Sequence, residues 1–336
     1  MKGLFLFLQM VGLIVQVSAQ SPDLSEVNYR KADSVAALYP GHSVTNLKVL
    51  SDKLTQPLTS DEEKFRSIYY WVCNNIENDY GYYKKNKHKR ESIKDPEKLK
   101  QWSKKFSVQV FTKLVREHKT VCSGYAYLVK ELAYHAGLSC EIIDGYGRTA
   151  QANIGGSGVV NHSWNAVRLR GNWYLCDPTW SSGLIDPQQA RFVKQFDGSY
   201  FLTDPSLFIQ SHYPLDSTWI LLEKKPELSE FLHNPLVYRG ALKHKFYPVS
   251  PAAFNSVAKR GEALSFRCTG IAEPAVGRLE LHIVRGSDTA RYSPEIYRNS
   301  EGLYCVDHIF TERGTYIVHG FLGGDHVFTY SVKVLP

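Results

Sequence analysis

The stretch TVCSGYAYLVKELAYHAGLSCEIIDGYG, residues 120–147, decides the fold of this chain. Beyond Ser123 its apolar residues recur at helical spacing as far as Gly137, and a glycine commonly follows the last turn of a helix. Residues 139–144 have the pattern of a strand. Cys122 therefore lies at the N-terminus of a predicted helix, where the helix dipole and the unpaired backbone N–H groups stabilise a thiolate.

A second stretch, NHSWNAVRLRGNWYLCDPTW at residues 161–180, has the pattern of a β-hairpin. Its residues alternate in polarity on both sides of Arg170-Gly171-Asn172, which predicts a turn between two extended runs. His162 begins the first strand and Asp177 ends the second, so antiparallel pairing brings the two side chains to one end of the hairpin. A carboxylate there fixes the tautomer of the histidine and leaves its other ring nitrogen for a cysteine.

These motifs resemble the transglutaminase-like superfamily, whose members share a papain-like Cys-His-Asp fold. The similar segments are V-C-S-G-Y-A, N-H-S-W-N-A-V and W-Y-L-C-D-P-T-W, in this order along the chain. Two further segments, I-Y-Y-W-V-C-N-N and F-L-T-D-P-S-L-F, narrow the resemblance to the branch of kyphoscoliosis peptidase and the cytokinesis proteins. The resemblance covers residues 60–240 and implies Cys122 as the nucleophile, His162 as the base and Asp177 as the residue that orients the histidine.

Four residues around the predicted triad are candidates for a substrate cleft: Gly124, Tyr125, Trp164 and Trp180. Large aromatic side chains are more often packing residues of a core, and this is the alternative for Tyr125, Trp164 and Trp180. The backbone N–H of Cys122 is the first donor expected for a tetrahedral intermediate, and the sequence does not identify the second. His212, in S-H-Y-P, is interpreted as a structural hydrogen-bonding residue, with a place in the site as the alternative.

The domain organisation follows from changes in periodicity. Residues 59–78 and 106–117 are predicted helices, whereas five short alternating runs after residue 240 predict a β-sandwich of immunoglobulin-like type. The expected fold class is therefore α+β: a helix that carries the cysteine packs on an antiparallel sheet that carries His and Asp, and a smaller all-β domain follows. The expected divisions are a signal peptide at 1–19, a catalytic domain with a helical extension at 20–240, and a separable β-sandwich at 241–336.

The first residues have the features of a secretory signal peptide. Lys2 precedes an apolar stretch at residues 4–17, and Val17-Ser18-Ala19 offers small residues for cleavage. The alternative is an N-terminal membrane anchor. We expect a secreted or periplasmic protein with no membrane span in its mature chain.

Charge and cysteine usage restrict the function classes. The 336 residues carry a net charge of +7, and no motif of a nucleic-acid-binding fold is present. The most basic segment, residues 80–105, is interpreted as a solvated insertion, with a patch for anionic partners as the alternative.

No cysteine spacing suggests a metal, and no cofactor is expected. Cys73, Cys140 and Cys176 are expected in the core, and the sequence leaves open whether Cys268 and Cys305 form a disulfide.

Three functions are compatible with these features. The first is a hydrolase of peptide or other amide bonds, in which water resolves an acyl-enzyme at Cys122. The second is a transferase that passes a glutaminyl acyl group to an amine. The third is a binding or scaffold module that keeps the fold without turnover. The hydrolase is preferred, with a protein or peptide substrate and with cell-envelope components as further potential partners.

Overall fold

The computed structural model describes residues 24, 27–186, 189–270 and 279–336. The helices are α1 Arg30–Ala37, α2 Leu47–Thr55, α3 Asp61–Asn75, α4 Tyr80–Ser92, α5 Pro96–Glu117, α6 Cys122–His135, α7 Pro178–Ser182, α8 Pro205–Phe208, α9 Leu228–His233 and α10 Arg239–His244. The predicted signal peptide at 1–19 lies outside the described residues. Within the described part of the chain, no helix is long and apolar enough to cross a membrane.

The strands fall into an N-terminal and a C-terminal group. The first group is β1 Glu77–Asn78, β2 Lys119–Thr120, β3 Cys140–Gly147, β4 His162–Leu169, β5 Asn172–Cys176, β6 Gly183–Asp186, β7 Arg191–Lys194 and β8 His212–Pro214. The second group is β9 Leu236–Val237, β10 Phe246–Ser250, β11 Asn255–Lys259, β12 Ala263–Gly270, β13 Leu279–Arg285, β14 Asp288–Tyr292, β15 Tyr297–Arg298, β16 Tyr304–Ile309, β17 Gly314–Leu322 and β18 Asp325–Leu335.

A four-stranded sheet in the order β5-β4-β3-β8 forms the centre of the N-terminal part. Side chains of β4 alternate between its two faces, as the period of a strand requires. Val167 and Leu169 pack with the helices α2, α3 and α6, whereas Trp164 and Ala166 join a second hydrophobic cluster on the other face. The predicted hairpin is confirmed, since β4 and β5 pair antiparallel through a turn in which Arg170 and Gly171 both have positive φ.

Helix α3 is fixed at its start by a capping box. The Ser60 hydroxyl accepts a hydrogen bond from the Glu63 backbone N–H, and the Glu63 carboxylate accepts one from the Ser60 backbone N–H. This arrangement satisfies two of the donors that a helix N-terminus leaves free. The predicted amphipathic helix is thus confirmed, and it buries Phe65, Tyr69 and Trp71 completely.

The basic segment and the predicted helix after it form a helical hairpin of α4 and α5. The short strand β1 precedes this hairpin and the short strand β2 follows it. The two strands pair in parallel, so they hold the two ends of the hairpin together. Asp79 caps α4 and Asp95 caps α5, each by accepting hydrogen bonds from the backbone of the first turn. The hairpin therefore begins and ends beside Cys122, which follows β2 after one residue.

All described regular structure from residue 246 onward is strand. One sheet has the order β10-β12-β16-β15, and the other has the order β11-β18-β17-β13-β14 with β9 on β18. The two sheets face each other through aromatic side chains, with the rings of Phe266 and Tyr330 5.2 Å apart. The same hydrophobic cluster includes Trp164 and Phe208 of the N-terminal part and Leu242 of α10, so the core continues across residue 240.

Cys268 and Cys305 are free thiols in this fold. Cys268 pairs across the ladder with Tyr304, and Cys305 pairs with Arg267. Residues directly opposite each other share a face of the sheet, so the offset of one residue turns the two thiols toward opposite faces. Cys73, Cys140 and Cys176 are also free and buried, as the sequence predicts.

Candidate active site

Cys122 is the first residue of α6 and the most accessible cysteine of the chain. It is partly exposed, whereas the other five cysteines are buried. Val121 precedes it and provides no side-chain cap, so the positive end of the helix dipole acts on Cys122 without a competing acceptor. A methyl group at Gly124 would lie 1.8 Å from the Thr120 hydroxyl oxygen. Only glycine therefore allows the first turn of α6 to pack this closely on β2.

His162 is the first residue of β4 and is 8% exposed. Its ring nitrogen Nε2 lies 2.7 Å from Oδ2 of Asp177. Cys122 is close enough to the imidazole to favour its protonated form. Since Nε2 faces the carboxylate, Nδ1 is the ring nitrogen left for the sulfur. Space for the imidazole is provided by Gly147, where a Cβ would come within 2.9 Å of the His162 Cβ.

Asp177 is completely buried between β5 and α7, and four hydrogen-bond donors surround its carboxylate. Oδ1 accepts from the backbone N–H groups of Thr179 and Trp180, at 2.8 and 3.1 Å. Oδ2 accepts from Nε2 of His162 and from Nε2 of His212, at 2.7 and 3.1 Å. A buried carboxylate is tolerated only when it is paired and hydrogen-bonded in this way.

The backbone of Asp177 is held as well as its side chain. The Tyr69 hydroxyl, from the middle of α3, donates to the Asp177 carbonyl oxygen over 2.8 Å. The Asp177 N–H donates to the carbonyl oxygen of Tyr200 over 3.0 Å. The position of the carboxylate is therefore fixed by elements from both sides of the sheet. Sequence reasoning missed both tyrosines, whose only signal is the resemblance of their flanking segments to the family.

The charges of the site favour a protonated His162. Burial alone lowers the pKa of His162, but the charge and hydrogen bond of Asp177 and the interaction with Cys122 outweigh burial and raise that pKa to about 10. Burial likewise opposes ionisation of Asp177, yet the nearby His162 and the His212 hydrogen bond hold the pKa of this carboxyl below its ordinary value. At neutral pH the pair is therefore an imidazolium and a carboxylate.

His212 has the hydrogen-bonding role that the sequence interpretation preferred, and its partner is Asp177. It lies on β8, is 1% exposed, and stacks on Phe208 with ring centres 4.2 Å apart. Burial lowers the pKa of His212 to about 4, so this imidazole is neutral at pH 7. Its Nδ1 lies 2.9 Å from the Ser211 hydroxyl and its Nε2 faces Asp177. The tautomer that satisfies both contacts carries its proton on Nε2 and donates it to the carboxylate.

The predicted cleft residues are divided between surface and interior. Trp180 is half-buried and packs on His162, with ring centres 5.2 Å apart. Tyr125 is fully buried, and its hydroxyl donates to the carbonyl oxygen of Ile76. Trp164 is also buried, against Phe208. The structure thus brings Gly124 next to Cys122 and Trp180 next to His162, whereas Tyr125 and Trp164 lie in the core.

His162, Asp177 and His212 offer donor atoms of the kind that bind a transition metal. Among the described residues this is the cluster with ligand atoms close enough together. Both imidazoles, however, direct Nε2 at the same carboxylate oxygen at hydrogen-bond distance. The contacts are those of two N–H donors on one acceptor, which accounts for the three groups without an ion.

Comparison with known proteins agrees with this geometry. A sequence profile of the transglutaminase-like superfamily matches residues 48–178, a range that includes Cys122, His162 and Asp177. The chain carries a transglutaminase-like domain. Its relatives include kyphoscoliosis peptidase of Homo sapiens, which is 34% identical over 219 residues, or 65% of this chain and 30% of that protein. Hillarin of Drosophila melanogaster is 35% identical over 137 residues, which is 37% of this chain and 17% of Hillarin.

Cytokinesis protein 3 of Saccharomyces cerevisiae is a more distant relative, 28% identical over 146 residues that make up 41% of this chain and 16% of that protein. The branch predicted from the sequence motifs is confirmed by these relatives. In each of them the matching region is less than a third of the whole protein. The chain therefore spans less than a third of the length of these relatives.

Proposed function

We propose that this chain is a cysteine hydrolase of peptide or other amide bonds, with Cys122 as nucleophile, His162 as acid and base, and Asp177 as the orienting carboxylate. One observation carries the proposal. A partly exposed thiol lies close enough to an imidazole to stabilise its charged form, and a buried carboxylate with four donors holds that imidazole. Nucleophile, base and orienting group in this order are the requirement for covalent catalysis at a cysteine.

The reaction would begin from a thiolate and an imidazolium. The Cys122 sulfur attacks the amide carbonyl carbon, and the backbone N–H of Cys122 donates to the oxyanion that forms. The His162 imidazolium gives its proton to the leaving amine, the C–N bond breaks, and a thioester remains on Cys122. Neutral His162 then takes a proton from water, which attacks the thioester. The carboxylic acid leaves, and the thiolate and imidazolium are restored.

The charge around the site supports hydrolysis over transfer to an amine. The basic helix α4 begins two residues after β1, which pairs with the strand that leads to Cys122. A lysine ammonium approaching from this side meets repulsion, although exposed charges are screened beyond about 8 Å at physiological salt. Water, the acyl acceptor in hydrolysis, is uncharged and is not repelled by these cations.

The test offers the purified full chain a broad peptide mixture with and without an excess of a primary amine. Products are identified by mass spectrometry, with Cys122→Ala as the control. We expect cleaved or deamidated peptides that disappear in the control. Amine-linked peptides in the majority would instead establish a transferase. A Cys122 that reacts with no alkylating agent, together with no products, would establish a scaffold.

Two further features belong to this proposal. The C-terminal strands are proposed to form an immunoglobulin-like sandwich, because the Tyr316 hydroxyl donates to the backbone oxygen of Glu312 at 3.0 Å in the manner of a tyrosine corner. Secretion or periplasmic export is proposed from Lys2 and the apolar residues 4–17. Cleavage before Gln20, measured by N-terminal sequencing of the mature protein, tests the second point.

A further inference from the structure

The net charge of this protein is concentrated in one segment, residues 84–105. Residues 84–105 contain ten of the 40 lysines and arginines but three of the 33 aspartates and glutamates, so this segment alone has a net charge of +7 and the remainder of the chain is neutral. The segment forms most of α4 and the first half of α5. The chain therefore has a single basic hairpin on an otherwise balanced molecule.

The cations of this hairpin are available to a partner. Nine of the ten are exposed: Lys84, Lys85, Lys89, Arg90, Lys94, Lys98, Lys100, Lys104 and Lys105. None of them forms an ion pair with a carboxylate that the structure describes. At the base of the hairpin, in contrast, Lys113 is paired with Asp79. Ten clustered charges of one sign repel one another, and this cost is relieved when an anionic partner binds.

The hairpin adjoins the proposed active site at two points. Its base is the β1–β2 pair, in which the Asp79 N–H donates to the Thr120 carbonyl oxygen at 2.7 Å, two residues before Cys122. Further along α4, the Lys87 ammonium donates to the carbonyl oxygen of Gln151, in the loop that leads to His162. The 13 residues of α4 extend about 20 Å from this base. An extended peptide covers that distance in about six residues.

We propose that the α4–α5 hairpin is a binding surface for an acidic segment of the polypeptide substrate. This inference rests on the proposed function, since it places the acidic segment about six or more residues from the bond that Cys122 attacks. The exposed cations of residues 84–105 bind carboxylates of the substrate, and the adjacent site then receives the neighbouring part of the same chain. The substrate class is therefore proteins with clusters of Asp and Glu near the cleaved bond.

An acidic polypeptide fits this surface better than other polyanions. A membrane-binding hairpin would present large apolar side chains for insertion, but within residues 84–105 no such side chain is exposed among the described residues. A nucleic-acid surface would offer free aromatic rings for stacking. Here Trp102 stacks on Phe106 and donates to the side chain of Asn86, and the ammonium of Lys89 lies over its ring.

The experiment measures binding and does not depend on turnover. Full-length protein with Cys122→Ala is titrated into a fluorescent peptide with a run of glutamates, and anisotropy is recorded at several salt concentrations. The hairpin variant adds Lys84→Gln, Lys85→Gln, Lys89→Gln and Arg90→Gln. The matched control removes four exposed cations elsewhere, with Lys224→Gln, Lys225→Gln, Arg260→Gln and Arg313→Gln.

We expect the hairpin variant to weaken the affinity for the glutamate peptide by about tenfold and to flatten its salt dependence, with the control variant within about twofold of the parent. Equal weakening in both variants, or no binding by the parent, would overturn the inference. Tighter binding of anionic vesicles or of a DNA oligonucleotide than of the peptide would overturn it too. Hairpin-dependent binding by a protein whose wild type cleaves nothing would keep the surface and reject the proposed function.

Discussion

At the scale of single residues, the site depends on how Asp177 distributes its hydrogen bonds. One carboxylate oxygen is used by the backbone of α7, and the other is shared by two imidazoles of different charge. Neutral His212 adds a donor without adding a charge, so the imidazolium of His162 is the one cation beside the carboxylate in this cluster. This division of roles leads to two predictions.

The first prediction concerns the protonation of His162. We expect its imidazole to stay protonated through neutral pH and to titrate near 10, above the ordinary histidine value of about 6.5, because Asp177 and Cys122 stabilise the charged form. NMR of ring-labelled histidine, assigned with His162→Gln, measures this. Asp177→Asn should lower the pKa. A midpoint near 6.5 in the wild type would contradict the imidazolium.

The same shifts determine how this pair affects stability. The folded pKa of His162 is raised, so its contribution is complete below the unfolded value of about 6.5 and is lost as pH rises toward 10. The folded pKa of Asp177 is lowered, so its contribution is complete above about 3.9 and is lost as pH falls further. The pair therefore stabilises the fold most between about pH 3.9 and about pH 6.5.

The second prediction treats His212 as a positioning residue. His212→Phe keeps an aromatic ring against Phe208 but removes the donor to Asp177. We expect alkylation of Cys122 by iodoacetamide to slow by about tenfold or more, because a hydrogen bond to a charged group contributes about 1.5–3 kcal/mol. His212→Gln restores an N–H near the position of Nε2 and should recover most of the rate.

A purely packing role for His212 gives the opposite order. The phenylalanine variant would then react like wild type, and the glutamine variant would be the slower one. Thermal unfolding of both variants separates loss of the site from loss of the fold. Equal alkylation rates in all three proteins would contradict any role of the hydrogen bond.

At the scale of elements, the N-terminus of α6 is fixed by its close approach to β2. The prediction is that Gly124→Ala destabilises the protein by about 1–3 kcal/mol, because the new methyl group overlaps the buried Thr120 side chain. Gly81→Ala in α4 is the matched control, since its methyl group meets nothing closer than 3.4 Å and alanine favours a helix. Denaturant unfolding measures both. Equal effects would show that the contact with Thr120 relaxes freely.

The sequence separation between paired strands explains which parts of the site could be predicted from the sequence. His162 and Asp177 lie at the ends of one hairpin with a two-residue turn, so local pairing was enough to bring them together. His212 reaches the site on β8, which pairs with β3 from more than 60 residues away, and no local pattern reveals such a contact. Periodicity also does not distinguish a cleft aromatic from a core aromatic, and only the structure shows that Tyr125 and Trp164 lie in the core.

At the scale of the whole molecule, the sequence predicts separable parts on either side of residue 240, but the hydrophobic core crosses that point. Leu236 and Val237 form β9, which pairs with the last strand β18. Leu242 of α10 and Phe246 of β10 belong to the same cluster as Trp164, whose ring lies beside His162. The change from mixed to all-strand structure therefore occurs within one continuous core, which a pattern of periodicities does not show.

The last prediction follows from this shared core. Differential scanning calorimetry of the full chain should give a single unfolding transition, because the cluster around Leu242 couples both parts. Leu242→Ala removes a side chain that is 5% exposed, and we expect it to cost about 2–5 kcal/mol and to lower that whole transition. Leu335→Ala, at an exposed position on β18, is the control and should change little. Two transitions, of which Leu242→Ala shifts one alone, would show that the parts fold independently and that the boundary near residue 240 separates two domains.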